Sequence, residues 1–146
     1  GAAPGVEHGR RELPAQLNIG DRVPLAGQRD GVPQVLATLV VLGHCGIEPE
    51  PFGRVVTEGM AARRPVIASA AGGVVEIIES GVNGLLVPPG DSAALAAALT
   101  DLWQHPLKAA TLAAAGRQRV ETHYTLAQHV AGVEAMYNDI LGSVGP

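Results

Sequence analysis

Residues 49–69, PEPFGRVVTEGMAARRPVIAS, decide how the chain is read. A Pro-Glu-Pro-Phe-Gly turn leads into a helix-forming run of small residues, about 53–63, and then into a short apolar strand, 65–69. Proline stiffens the backbone ahead of the helix, and Gly53 leaves its first turn free of a side chain. A helix that starts there carries unpaired N–H groups at the positive end of its dipole. If it follows a parallel strand, that end lies on the carboxyl edge of the sheet, where ligands bind in doubly wound folds. The amides of Arg54 and Val55 are then placed for an anion, and a phosphate is the expected one.

Two carboxylates flank this feature. Glu58 lies about five residues into the helix, roughly 7 Å along its axis at 1.5 Å per residue. That is the step from a phosphate to an adjoining ribose, whose two hydroxyls a carboxylate can accept. Glu50, on the preceding loop, would face hydroxyls on the other side of the phosphates. Together they describe a nucleotide-sugar site. The residues alone leave a plainer reading open, with Glu58 an ordinary solvated helix residue and Glu50 a loop charge.

The flanks alternate strand and helix. Upstream, a helix is expected over about 7–17, disturbed by Pro14, then a strand over 22–26 weakened by Pro24. A short helix over VPQVLAT and an apolar strand, 39–43, buried on both faces, come next. Downstream lie a glycine-rich loop with a short helix, an Asn-Gly turn and a strand at 85–87. Asp91 caps a helix to about residue 103, His105-Pro106 breaks it, and a helix over about 107–122 follows. Thr125 opens a last helix, about 126–141. Such alternation predicts an α/β fold, a Rossmann-like parallel sheet with helices on both faces. Leu95, Leu99, Leu102 and Trp103 recur at helical spacing, so Trp103 is expected in the core.

Composition agrees with this class. The 146 residues suit one domain, and they are 47% hydrophobic but only 3% aromatic, with 19 Gly and 11 Pro. Ten basic against 14 acidic residues give a net charge of −4, and no long basic run exists, so a nucleic-acid partner is not expected. The single cysteine, Cys45, leaves no internal disulfide and points to a reducing, cytoplasmic setting. No apolar run approaches the roughly 20 residues of a membrane span. Cys45 is expected to be a small, buried or half-buried residue rather than an activated thiolate. His44 is read as a positioning or packing residue; His105 and His123 belong to helix ends. Gly72-Gly73 either set a helix N-terminus against a sugar or make a tight strand-to-helix turn, and Glu76 reads as a first-turn helix charge.

The stretch EPFGRVVTEGMAARRPVIASAAGGVVEIIESGVNGLLVPPGD resembles the C-terminal, donor-binding half of retaining glycosyltransferase family 4, enzymes of two-domain GT-B fold. The features that carry the resemblance are two glutamates separated by seven residues (Glu50, Glu58), EGMAARRPVIAS, the GGVVE loop and the GVNGLLVPPGD turn. Upstream, DRVPLAGQRDGVP is similar to the strand and loop that touch the nucleobase. The resemblance implies that Glu50, at the catalytic centre, contacts sugar hydroxyls and Glu58 the ribose. Phe52, Gly53, Arg54 and Val55 would line sugar and diphosphate, and Gln28 and Arg29 would lie near the base. It also implies sugar transfer from a UDP- or GDP-linked donor with retention at the anomeric carbon, and neither metal nor cofactor.

Departures qualify that reading. The family's donor domain starts with a strand, a glycine-rich loop carrying Arg with a Lys downstream, a helix and a second strand, none of which is found here. Val40 stands where the family usually has Asp. The expectation is therefore a partial domain, residues 1–146, inactive alone and needing an acceptor domain or partner subunit, with an exposed strand edge through which copies can associate. The last helix, 125–142, would cross towards that absent domain, with Met136, Tyr137 and Ile140 facing it, and a peripheral membrane location is compatible. The alternatives are a non-catalytic module of the same fold and half of a GT-B nucleotide-sugar epimerase.

Overall fold

A computed structural model describes residues 12–27 and 30–143, in a chain that divides into two units, Gly1–Val32 and Pro33–Pro146. In the first unit residues 12–16 are helical. Leu17 N–H donates to Leu13 O (3.0 Å) and Ile19 N–H to Pro14 O (2.9 Å), and Asn18 at φ 54° ends the helix. The earlier part of the expected helix, 7–11, lies outside the described residues. A 3-10 turn, Gly20–Arg22, follows.

Residues 23–26 form no strand, which corrects the expectation for 22–26. Pro24 has no N–H to contribute to a ladder, and Val23 and Leu25 remain 38% and 46% exposed. No burial compensates the missing bond.

From α1 (Val32–Thr38) onward the elements are β1 (Leu42–His44), α2 (Arg54–Ala61), β2 (Val66–Ser69), α3 (Val74–Ile77) and β3 (Leu85–Val87), then α4 (Ser92–Gln104), α5 (Pro106–His123) and α6 (Leu126–Ser143). The described strands form one parallel sheet in the order β1-β2-β3, with Leu42 beside Val66 and Ile67 beside Leu85. It has three strands, not the four expected. β2 is buried throughout, as its apolar run demands.

β1 corrects a second expectation. It is shorter than 39–43, shifted towards His44, and only half-buried, while Val40 is 68% exposed. An edge strand has one ladder partner, so its apolar run is not covered as β2's is.

Alternate residues of β2 point to opposite faces. Val66 and Ala68 pack with Val56 and Met60 of α2 and Val74 and Ile77 of α3, while Ile67 packs with Leu102 of α4 and Leu112 of α5. Helices therefore cover both faces. Full burial of a side chain such as Met60 or Ile67 contributes about 1.5–3 kcal/mol, so this sandwich dominates stability.

Local signals set the helix ends. Arg63, at φ 54°, closes α2: its N–H donates to Met60 O and that of Arg64 to Gly59 O, turning the chain into β2. Arg64 Nη1 also donates to Leu39 O (2.9 Å), tying down the approach to β1. Asp91 accepts from Ala94 N–H (2.9 Å) at the start of α4, and Pro106 occupies the first turn of α5. At α6, Thr125 Oγ1 accepts from Gln128 N–H and Gln128 Oε1 from Thr125 N–H, a reciprocal cap. Asn83, 6% exposed, braces the loop before β3, accepting from Glu79 N–H and donating to Ile77 O.

Trp103 is not a core residue; it is 77% exposed. At about 100° per residue, Leu95 and Leu102 share one face of α4, whereas Trp103 lies roughly 100° from Leu102, off that face. Leu102 is buried, Leu95 packs beside it, and Leu99 is 42% exposed. Among the residues of α6 whose burial is described none is buried; Met136, Tyr137 and Ile140 are all more than half exposed. Among the described residues no helix is long and apolar enough to cross a membrane.

Candidate functional site

β1 ends at His44, on the carboxyl edge of the sheet, and the loop after it runs to Gly53 at the start of α2. Gly53 takes φ 89°, and a Cβ there would lie 3.0 Å from Val74 Cγ2. Glycine is thus required by backbone conformation and by the approach of α3, more than by any need to clear a ligand. Gly53 O accepts from Val56 N–H (2.9 Å) and Thr57 N–H (3.3 Å). The amides of Arg54 and Val55 precede the first amide bonded within the helix, that of Val56, so they are the donors the helix offers at its positive end.

The two glutamates are held differently. Glu50 Oε2 lies 3.0 Å from His44 Nε2, with both side chains partly buried. Its backbone pairs with Gly72, and its carbonyl accepts from Gly73 N–H (2.9 Å). Glu58 Oε1 lies 3.2 Å from Arg54 Nε, one turn back on the same helix. Arg54 is largely exposed, so that pair contributes only a few tenths of a kcal/mol and yields readily to another partner.

Sequence reasoning missed how the loop is fixed. A Cβ on Gly72 would lie 2.1 Å from Glu50 O, and one on Gly73 2.4 Å from Pro51 O. The Gly-Gly pair therefore makes a tight turn, as one of its two readings held, and also lets the 70s loop touch the Glu50 backbone directly. His44, expected to position or to pack, contacts Glu50 itself. Phe52 is 51% exposed and stands edge-on to Tyr124, centroids 6.1 Å apart. Tyr124 had no signal in the sequence. Its hydroxyl donates to Glu76 O (3.4 Å), which also accepts from Arg119 Nη2 (3.2 Å), so α3 and the end of α5 are joined beside Phe52. Glu76, in the first turn of α3, thus contributes its carbonyl here.

Val55 is 40% exposed at the first turn of α2. Gln28 and Arg29, expected near a base, lie outside the described residues. Cys45 is exposed rather than buried, a correction: it follows an edge strand instead of an inner one. Partial burial of the thiol raises its pKa, in keeping with an inactive sulfur. His105 caps between α4 and α5 and lies 3.0 Å from Asp101, away from the site. Lys108, hydrogen-bonded to Asp101, holds that carboxyl below the usual carboxylate range, and His105 adds to the effect.

The family model for glycosyl transferases group 1 matches residues 2–105. The chain belongs to that family. This group 1 chain is 30% identical over 130 residues to the N-acetyl-alpha-D-glucosaminyl L-malate synthase of Bacillus anthracis, covering 89% of this chain and 34% of the relative. Among solved structures it resembles the sucrose-phosphate synthase of Thermosynechococcus elongatus (TM-score 0.87, 34% identity, 98% of this chain and 37% of that one). It also resembles Anabaena HepE in complex with UDP and glucose (TM-score 0.80, 32% identity, 91% and 35%). The group 1 chain spans about a third of the length of these relatives. Its parallel sheet and flanking helices agree with the GT-B, Rossmann-like fold of these neighbours.

Proposed function

We propose that the chain is the nucleotide-sugar donor-binding part of a retaining glycosyltransferase, taking a UDP- or GDP-linked sugar. The observation that carries this reading is the free amide end of α2 on the carboxyl edge of a parallel sheet, with Glu50 before it and Glu58 within it. The amides of Arg54 and Val55 take the diphosphate, and the helix dipole adds to their attraction. As the sugar leaves, negative charge develops on that diphosphate, where fixed donors stabilise it most.

Glu58 exchanges its loose contact with Arg54 for the ribose hydroxyls. Glu50, oriented by His44 and by the Gly73 amide, accepts sugar hydroxyls at the reacting end. Phe52 and Gly53 line the sugar and diphosphate. The chemistry proposed uses no metal and no cofactor.

The solved complex of a relative with UDP and glucose supports this choice of ligand. The acceptor side is completed by a further domain or partner subunit, towards which α6 would turn its exposed Met136, Tyr137 and Ile140. Accordingly the 146 residues alone are proposed to bind donor without transferring sugar.

Titration of the chain with UDP, followed by backbone NMR, tests the reading. The expected result is a dissociation constant around 1 mM, about −4 kcal/mol, with shifts centred on residues 50–58. Shifts centred elsewhere would sink the assignment.

A further inference from the structure

On the far side of Phe52, the one residue it shares with the donor reading, the chain borders a second, open space. A cavity of about 630 Å³ lies between Phe52 and the junction of α5 and α6, lined by His123, Tyr124, Thr125, Leu126, Gln128 and His129. Its volume falls within the roughly 300–1,000 Å³ of small-molecule sites. We propose that this cavity is a carbohydrate subsite for a neutral, hydroxylated ring of the acceptor; the assignment to an acceptor rests on the donor reading above.

The lining chooses the ligand class. It contains no Asp, Glu, Lys or Arg, so no permanently charged side chain there pairs with a phosphate or carboxylate. Phe52 and Tyr124 supply apolar ring surface for the C–H face of a sugar. Their arrangement is preformed, because Tyr124 is fixed through its hydroxyl on Glu76 O and Phe52 follows the Glu50–Gly72 contact. The ring nitrogens of His123 and His129 make no hydrogen bond among the described residues, and His123 only leans edge-on against Tyr124 (6.4 Å). A neutral imidazole offers one donor and one acceptor, the pair that a sugar hydroxyl satisfies. Gln128, by contrast, is already committed to capping α6. An apolar face and unused imidazoles around an uncharged cavity match a neutral sugar better than an anion or an aliphatic chain.

Phe52 gives the role: it lines this cavity and, two residues before the α2 amides, is assigned above to the donor's sugar, so a ring held here would neighbour that sugar.

The test uses the 146-residue chain with methyl α-D-glucopyranoside and methyl α-D-mannopyranoside as probes, read by backbone NMR with and without UDP. At least one glycoside should shift residues 123–129 at millimolar concentrations, with UDP present or absent, while UDP shifts residues 50–58. The variants His129→Ala and His123→Ala, at exposed positions, should each weaken that glycoside about three- to tenfold, the loss of one hydrogen bond, and leave UDP unchanged. UDP-induced shifts at 50–58 with no glycoside shifts at 123–129 would overturn the subsite and leave the donor reading standing. Glycoside binding without any UDP response would overturn the donor reading instead and keep a sugar site. Competition between UDP-glucose and the glycoside, where UDP does not compete, would give the cavity to the donor's own sugar and overturn the acceptor assignment.

Discussion

Replacing Gly72 by alanine tests whether the 70s loop holds Glu50 in place. Gly72 sits at φ 62°, where an alanine costs about 1–2 kcal/mol. Its Cβ would also meet Glu50 O at 2.1 Å and Glu50 N at 2.8 Å. Those are backbone atoms, so relief requires the two segments to part, which breaks the 2.9 Å bond from Gly73 N–H to Glu50 O at a further cost of about 1 kcal/mol. The sum is about 2–3 kcal/mol, or a fall in Tm of about 7–10 °C for a domain of this size. Gly81 provides the control: it has φ 84° but no atom within 4 Å of a built Cβ, so Gly81→Ala carries the conformational cost alone. Urea denaturation and thermal melts of both variants separate the terms. Gly72→Ala should be the worse by about 1 kcal/mol or more. Equal losses would show that the contact with Glu50 contributes nothing and that the loop is held some other way.

Two further outcomes follow from burial. Leu102→Ala should destabilise by about 2–5 kcal/mol because a buried side chain is removed, whereas Trp103→Ala, at an exposed position, should change stability by less than about 1 kcal/mol in urea melts. A Trp103 loss as large as that of Leu102 would return it to the core. Cys45, with its thiol pKa raised by burial, holds less thiolate at neutral pH than an unperturbed thiol. Its alkylation by iodoacetamide should therefore be slower than that of a model thiol at pH 7, with the rate rising through a midpoint above the ordinary thiol value; a midpoint below it would contradict this.

The parts of this fold that can be read from sequence are those with local causes. Asp91, Pro106 and Thr125 each place a helix start because a cap acts within its own first turn. Gly53 and the run after it mark α2 for the same reason, and Leu85–Val87 stands out between two turns. The misreadings arise where the cause is tertiary. LVVLG looks alike on an inner strand and on an edge, and only the sheet order decides. Trp103 joins the leucines by spacing, yet its phase on α4 carries it off the buried face. Pro24 stood in plain view as a weakness, and residues 23–26 form no strand at all. At the site, Glu50 and Glu58 were visible as a spaced pair, but their partners were not. The contact of Glu50 with Gly72, the His44 pairing and the bracing by Tyr124 all join residues distant in sequence or separated by a loop.

The proposed contact between Glu58 and a ribose is what a ligand–mutant cycle isolates. Wild-type chain and Glu58→Gln are each titrated with UDP and with its 2′,3′-dideoxy analogue, which lacks both hydroxyls that the carboxylate would accept. Glu58→Gln should weaken UDP about 10- to 150-fold, the loss of charge-assisted hydrogen bonding worth about 1.5–3 kcal/mol, and leave the dideoxy analogue within about twofold of wild type. An equal loss for both ligands, or none for either, would contradict the placement of the ribose on Glu58 and with it the donor site at α2.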